Sequence, residues 1–290
     1  MKPLENVMKS SIKIECGDRR TRLIYPVLCQ YISDMEKQWQ LMCLHWPFCP
    51  KCYNRVSPND GEELKVVWSH DGESTSLPLN TVRTDQHIRF HRRHGLSQDE
   101  DLENVLIIQH NLGYHPDGPF SENYPYGGIL DAVGPDLLHQ VSKCFMDYVF
   151  EKWIWKLMKL DAQDGKISEK DLKAEFNARF SLVPSYTGGK RFHHGVHMET
   201  HFWSIYEVKE MMKSFVGVVI GICPSEGIYL VREYLHIHRL SHYLCHTDET
   251  IDWLDSTIKT FFMLLTGNDS VFIANGIVPA NYEPQKLHYL

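Results

Sequence analysis

Three acidic residues, Asp18, Asp136 and Glu207, stand at the boundaries of patterned segments. Asp18 closes the short run Ser11–Glu15 with Cys16-Gly17 and precedes a segment with helical spacing. Asp136 opens Pro135-Asp136-Leu137-Leu138-His139-Gln140. Glu207 lies in Trp203-Ser204-Ile205-Tyr206-Glu207-Val208-Lys209-Glu210-Met211. Carboxylates brought together from separate elements can hold two magnesium ions, which activate water or a 3′ hydroxyl and stabilise the leaving oxygen. Acids at helix starts also serve as caps and as partners of the helix dipole. Spacing alone favours capping for Asp136 and dipole pairing for Glu207. A third island, His246-Thr247-Asp248-Glu249-Thr250, has the same character.

A second chemistry is written in thiols and imidazoles. Cys49-Pro50-Lys51-Cys52 places two thiolates on one tetrahedral face, which is half of a zinc site. His87 and His91 have the spacing of a second ligand pair; His94, Cys43 and His45 compete with them. The alternative is an unmetallated cysteine turn. The same stretch, His87-Ile88-Arg89-Phe90-His91-Arg92-Arg93-His94, is the most basic in the chain. Arg89, Arg92 and Arg93 suit phosphate contacts and Phe90 suits base stacking, against the alternative of a solvated loop.

Other chemistries fail on residue type. Asp161 to Ser168 resembles a calcium loop, but aligning Gly165 with the turn glycine puts Leu160 and Ala162 at ligand positions. Thr187-Gly188-Gly189-Lys190 is too short for a phosphate loop. Cys16, Cys144 and Cys223 lie in apolar surroundings and read as core residues, and no serine or cysteine is arranged as a nucleophile.

Composition bounds the answer. The chain has 290 residues, 43% hydrophobic and 12% aromatic, which excludes disorder and predicts one or two domains. A net charge of -7 excludes a wholly basic nucleic-acid coat, so DNA contact requires a local patch. There is no 18-residue apolar run and no signal-like N-terminus, so neither a membrane span nor secretion is expected. Eight cysteines without a secretion signal predict reduced thiols or metal ligands.

The elements that position these residues fall into three regions. Over 1–46, a strand at Ser11–Glu15, a helix within Arg19–Ser33 and a strand over Gln38–His45 predict a strand–helix–strand unit of parallel sheet, with Pro26 as a kink. Over 47–125, frequent Pro, Gly, Asn and Asp predict an irregular insertion with a few strands. Over 126–290 the pattern is helical, with Asp136, Ser168 and Thr247 or Asp248 as caps.

The ordered blocks CGDRRTRLIYPVLCQYISDMEKQ, CPKC, PDLLHQVSKCFMDYVFEKW, FNARFSLVP, WSIYEVKEM and HTDET resemble the Plavaka-type transposases of fungal genomes, within the Kyakuja–Dileera–Zisupton group of DDE transposases. The resemblance implies an RNase H-like core, a nuclear location and Mg²⁺-dependent cut-and-paste chemistry on DNA ends. It makes Asp18 the second catalytic carboxylate and Glu207 the final one, and makes Asp136 with His139 a landmark. Cys144, Tyr148 and Ile205 depart from the glycine, histidine and glycine usual there. The family also carries a long region before the Asp18 block, with the first catalytic aspartate. The expectation is therefore an α+β protein: a partial RNase H-like core, a zinc-bearing insertion and a helical C-terminal half. It is expected to be a transposon-derived, catalytically inactive fragment, the alternative being a zinc-containing DNA- or protein-binding scaffold.

Overall fold

The computed structural model describes residues 2–44, 66–70, 73–77, 119–121, 123–126, 128–134, 136–184, 187–193, 195–196 and 203–279. The architecture is mixed but dominated by helices. The chain divides between Asp136 and Leu137 into two compact units.

The first unit opens with helix α1 (Lys2–Ser10), which buries Met8 and carries a Lys9–Glu5 pair one turn apart. Strands β1 (Ile12–Glu15) and β2 (Thr21–Ile24) form an antiparallel hairpin, with Ile14 opposite Arg22. Its loop is closed by Arg19 N–H donating to the Cys16 carbonyl at 2.8 Å. Arg19 sits at φ 60°, the left-handed residue that follows the turn in a three-residue hairpin loop. Helix α2 (Met35–Met42) buries Gln38, Trp39 and Met42, three positions on one helical face. Strands β3 (Val66–His70) and β4 (Glu73–Leu77) form a second antiparallel hairpin, and helix α3 (Ile129–Ala132) follows.

Two expectations for this region are corrected. The segment after Asp18 is not a helix but β2 and an extended run. Pro26 has no N–H to give a helix and drives the residue before it into extended geometry. The segment Gln38–His45 is not a strand but mostly α2. The alternation of glutamines with apolar residues mimicked a period of two, yet Gln38 itself is buried. With a hairpin in place of a crossover, residues 2–44 contain no parallel strand–helix–strand unit. Cys16 is half-buried at the end of β1 rather than in the core.

The second unit is helical. Its first run starts as two π-helical segments, Leu137–Lys143 and Phe145–Ile154, and continues as α4 (Trp155–Asp164). The wider π turn repeats after four to five residues, and the buried Val141, Phe145, Phe150, Ile154 and Met158 follow that spacing. Helices α5 (Glu169–Ser181), α6 (Ile205–Val219), α7 (Ser225–Ser241), α8 (Asp248–Thr266) and α9 (Val271–Ala274) complete it. Two of the predicted caps are present: Ser168 accepts from Asp171 N–H, and Thr247 accepts from Thr250 N–H.

The core is aromatic. Phe150 stacks on Phe176 at 5.3 Å, and Phe215 meets Phe145 edge-on at 4.9 Å. Truncating such a ring costs about 3–5 kcal/mol. Gly227 lets α7 approach α4: a Cβ there would stand 3.0 Å from Leu157 and 2.6 Å from the Cys223 sulfur. Arg179 reaches from α5 to the C-terminal end of α6 and donates to the Val218 and Ile220 carbonyls, which that helix cannot satisfy internally.

Candidate functional site

The first unit brings two carboxylates together. Asp34 immediately precedes α2 and is exposed; its side chain makes no capping bond to the helix. Asp136 is 8% exposed, in the segment after α3. Their oxygens lie within 4.8 Å of each other. Backbone pairing sets this approach. Tyr31 N–H donates to the Ala132 carbonyl at 2.7 Å, making a bridge with Val133. The buried Gln38 then donates from Nε2 to the Ser33 carbonyl at 3.0 Å and to the Gly134 carbonyl at 3.1 Å. Residues 31–38 are thereby fastened along residues 132–134. His139, half-buried, follows three residues after Asp136 in the first π segment.

Asp34 has no counterpart among the sequence candidates. The pattern over Gln38–His45 predicts a strand, which hides an acid standing immediately before a helix. The signal was Ser33-Asp34 ahead of Glu36, with an acid in the first turn.

Asp18 sits on the hairpin loop. Both Arg22 guanidinium nitrogens donate to it, at 2.9 and 2.6 Å, and Arg20 N–H donates at 3.1 Å. Arg22 above all, with the Arg20 N–H, holds its carboxyl below the usual range. Glu207 lies in the second unit, in the first turn of α6. It completes a reciprocal cap: Glu207 N–H donates to Ser204 Oγ, and Ser204 N–H and hydroxyl donate to Glu207 Oε2, each at 2.9 Å. Its Oε1 is paired with Lys190. Both carboxylates are thus occupied by donors of their own chain. Cys49, Cys52, His87, His91, Arg89, Arg92 and Arg93 lie outside the described residues.

A family model described as Plavaka transposase matches residues 1–154. That span is just over half of the chain. The chain belongs to the Plavaka transposase family. No characterised protein and no solved structure matches it. It is thus a transposase-like protein of transposable-element origin. The Plavaka match includes Asp18, Asp34, Asp136 and His139 and ends before Glu207. Among the described residues, no helix is long and apolar enough to cross a membrane.

A second polar cluster lies within the helical unit. Ser142 Oγ stands 3.1 Å from His238 Nε2, and the His238 ring lies 4.4 Å from that of His242. His242 donates from Nδ1 to the His238 carbonyl at 2.7 Å and accepts from Lys209 at 3.5 Å. The spacing of Ser142 and His238 is that of a nucleophile and its base. Ser142, however, is fully buried, which keeps reactants from its oxygen. Burial first, then His242 and Lys209, push His238 down to about 4 from 6.5. The neutral imidazole is the folded form, so protonation opposes folding. Stability is therefore complete above pH 6.5 and falls as the pH drops toward 4. Partial solvent exposure limits the loss to roughly 1–2 kcal/mol. Denaturant titrations between pH 7 and pH 4 are expected to show this decline, reduced in His238→Gln. An unchanged slope in that variant would assign the pH dependence to other groups.

Proposed function

We propose that this chain acts on DNA in the manner its family implies, with a divalent cation held by Asp34 and Asp136. The observation that carries this reading is the approach of those two carboxylates within the Plavaka-matched region. The donor set suits magnesium or manganese, which favour hard oxygen ligands. Two oxygens on an octahedral ion stand roughly 3 Å apart when adjacent and about 4 Å apart when opposite, and the spacing here is compatible with either. Gln38, one turn along α2 from Asp34, is fully buried, and its Oε1 has no hydrogen-bond partner among the described residues. A cation there would supply Lewis-acid activation of a water or 3′ hydroxyl and charge stabilisation at the leaving oxygen. Asp136, held in place by its burial, would fix the ligand geometry; Asp34, exposed, would admit the ion. His139, three residues on, is the nearest imidazole in sequence to this pair.

Manganese titration followed by calorimetry or electron spin resonance is expected to give one site. Asp34→Asn and Asp136→Asn should each weaken it tenfold or more, and Asp18→Asn should leave it unchanged. Equal affinity in all variants would place the ion elsewhere.

The resemblance to the family implies RNase H-like chemistry with Asp18 and Glu207 as catalytic carboxylates and Asp136 with His139 as a landmark, and we place Asp136 with them as a candidate catalytic residue. The bonding of Asp18 and Glu207 favours a second reading, a DNA- or protein-binding scaffold without catalysis, because both carboxylates are spent on their own chain. A nicking and strand-transfer assay with Mg²⁺ or Mn²⁺ on the element's terminal repeats separates the two. Turnover that disappears in Glu207→Gln supports the enzyme, and no turnover with retained DNA binding supports the scaffold.

The remaining assignments rest on spacing. We assign a structural zinc to Cys49 and Cys52 with His87 and His91. Purified protein should carry about one zinc, lost in Cys49→Ser/Cys52→Ser; full metal content in that variant refutes the site. Arg89, Arg92 and Arg93 are the proposed phosphate contacts, in a nuclear protein. Replacing all three by alanine should flatten the salt dependence of DNA binding, and an unchanged slope moves the contact elsewhere.

A further inference from the structure

The hairpin of the first unit has an open edge with a specific pattern. All eight residues of β1 and β2 are exposed. Ile12, Ile14 and Ile24 stand at 41%, 39% and 39% exposure, on the same face of the ribbon. Two-stranded ribbons are marginal in water and gain stability from further strands. Among the described residues no third strand joins this sheet.

The backbone fixes which groups the open edge offers. Cys16 N–H donates inward to the Arg20 carbonyl. Antiparallel ladders alternate, so Ile14 and Ile12 also point their polar groups toward β2. Lys13 and Glu15 point theirs outward. A second antiparallel strand can therefore hydrogen-bond this edge only through Lys13 and Glu15. For a second copy of β1, three registers satisfy that parity. One sets Lys13 against Lys13, one sets Glu15 against Glu15, and one sets Lys13 against Glu15 twice. Like charges directly opposite are destabilising and unlike charges favourable. Only the third register is complementary, and it places the two Ile14 residues opposite one another in the closer, non-hydrogen-bonded position.

We propose that the free edge of β1 pairs antiparallel with β1 of a second copy of this chain, Lys13 facing Glu15 of the partner subunit and Ile14 facing Ile14 of the partner subunit. The product is a four-stranded sheet, β2-β1-β1-β2, with the isoleucines of both copies along one face. Lys13 and Glu15 then select the partner: they admit this strand in one register and oppose it in the others. Edge charges that elsewhere prevent association here direct it.

The test is a charge swap in the full chain, read by sedimentation over concentrations up to about 0.1 mM. Wild type is expected to dimerise. Lys13→Glu and Glu15→Lys should each weaken the dimer tenfold or more, because each turns both cross-strand pairs repulsive. The double variant Lys13→Glu/Glu15→Lys should restore it. In a second measurement, Ile14→Cys should give a covalent dimer on mild oxidation, beyond the wild-type background. A wild type that stays monomeric overturns the proposal. So does a dimer indifferent to the single charge changes, or double-variant behaviour no better than that of the single variants.

Discussion

Holding Asp34 beside Asp136 is work done against charge. Two carboxylates no more than 4.8 Å apart repel by at least about 1 kcal/mol in water-like surroundings and at least about 3 kcal/mol at an effective dielectric constant of 20. The Tyr31–Ala132 and Gln38–Gly134 hydrogen bonds hold the two segments together against that repulsion. Each net bond contributes about 1 kcal/mol, so the fastening and the repulsion are of similar size. A cation at the proposed site would change the sign of the charge term and favour the loaded arrangement over the bare one. The buried amide of Gln38 is central here, because it is the side chain that reads the carbonyls on both segments.

The fate of the other two acids follows from where they stand in their elements. Glu207 occupies the third position of α6, where a carboxylate reaches back to the N-cap N–H and serine hydroxyl. Asp18 occupies a three-residue loop whose strands bring Arg22 alongside it; the i,i+4 spacing that suggests a helix is here a hairpin pair. Neither geometry requires a metal to be satisfied. Asp34 stands in the capping position of α2, and its side chain makes no capping bond to that helix.

Much of the second unit was legible because its signals are local. Ser168 and Thr247 each announce a helix through one hydroxyl and the residue three positions on, and the apolar stripes behind them are long; Ser204 carries the same signal and does cap its helix. The π-helical spacing of Val141, Phe145 and Phe150 still passes for a helix, which is why the start was readable even though its hydrogen-bond pattern was not. In the first unit the strand Ile12–Glu15 was legible, but the rest was not, because its determinants are short and non-local. β2 has four residues, too few for periodicity to decide, and Pro26 acts by preventing a helix rather than by specifying what replaces it. Gln38 misled for a different reason: a buried glutamine counts as polar in any pattern, while its burial depends on a carbonyl 96 residues away.

That asymmetry also bears on how family membership should be used. The Plavaka match covers the first unit and ends with the second π segment, so the helices from α4 onward lie beyond it. Catalytic roles carried onto Asp18 and Asp136 rest on matched sequence, whereas the role carried onto Glu207 rests on a single block, WSIYEVKEM. A helix opening with Ser-Ile-Tyr-Glu is also what capping alone would select, because serine at the N-cap and glutamate three residues later satisfy two orphan N–H groups without any ligand. The same four residues therefore serve two explanations equally well. Asp136 is not ambiguous in that way. Its carboxylate is nearly buried and close to a second one, and capping requires no second acid beside it. Between the two positions, the stronger physical case for metal chemistry lies with Asp136.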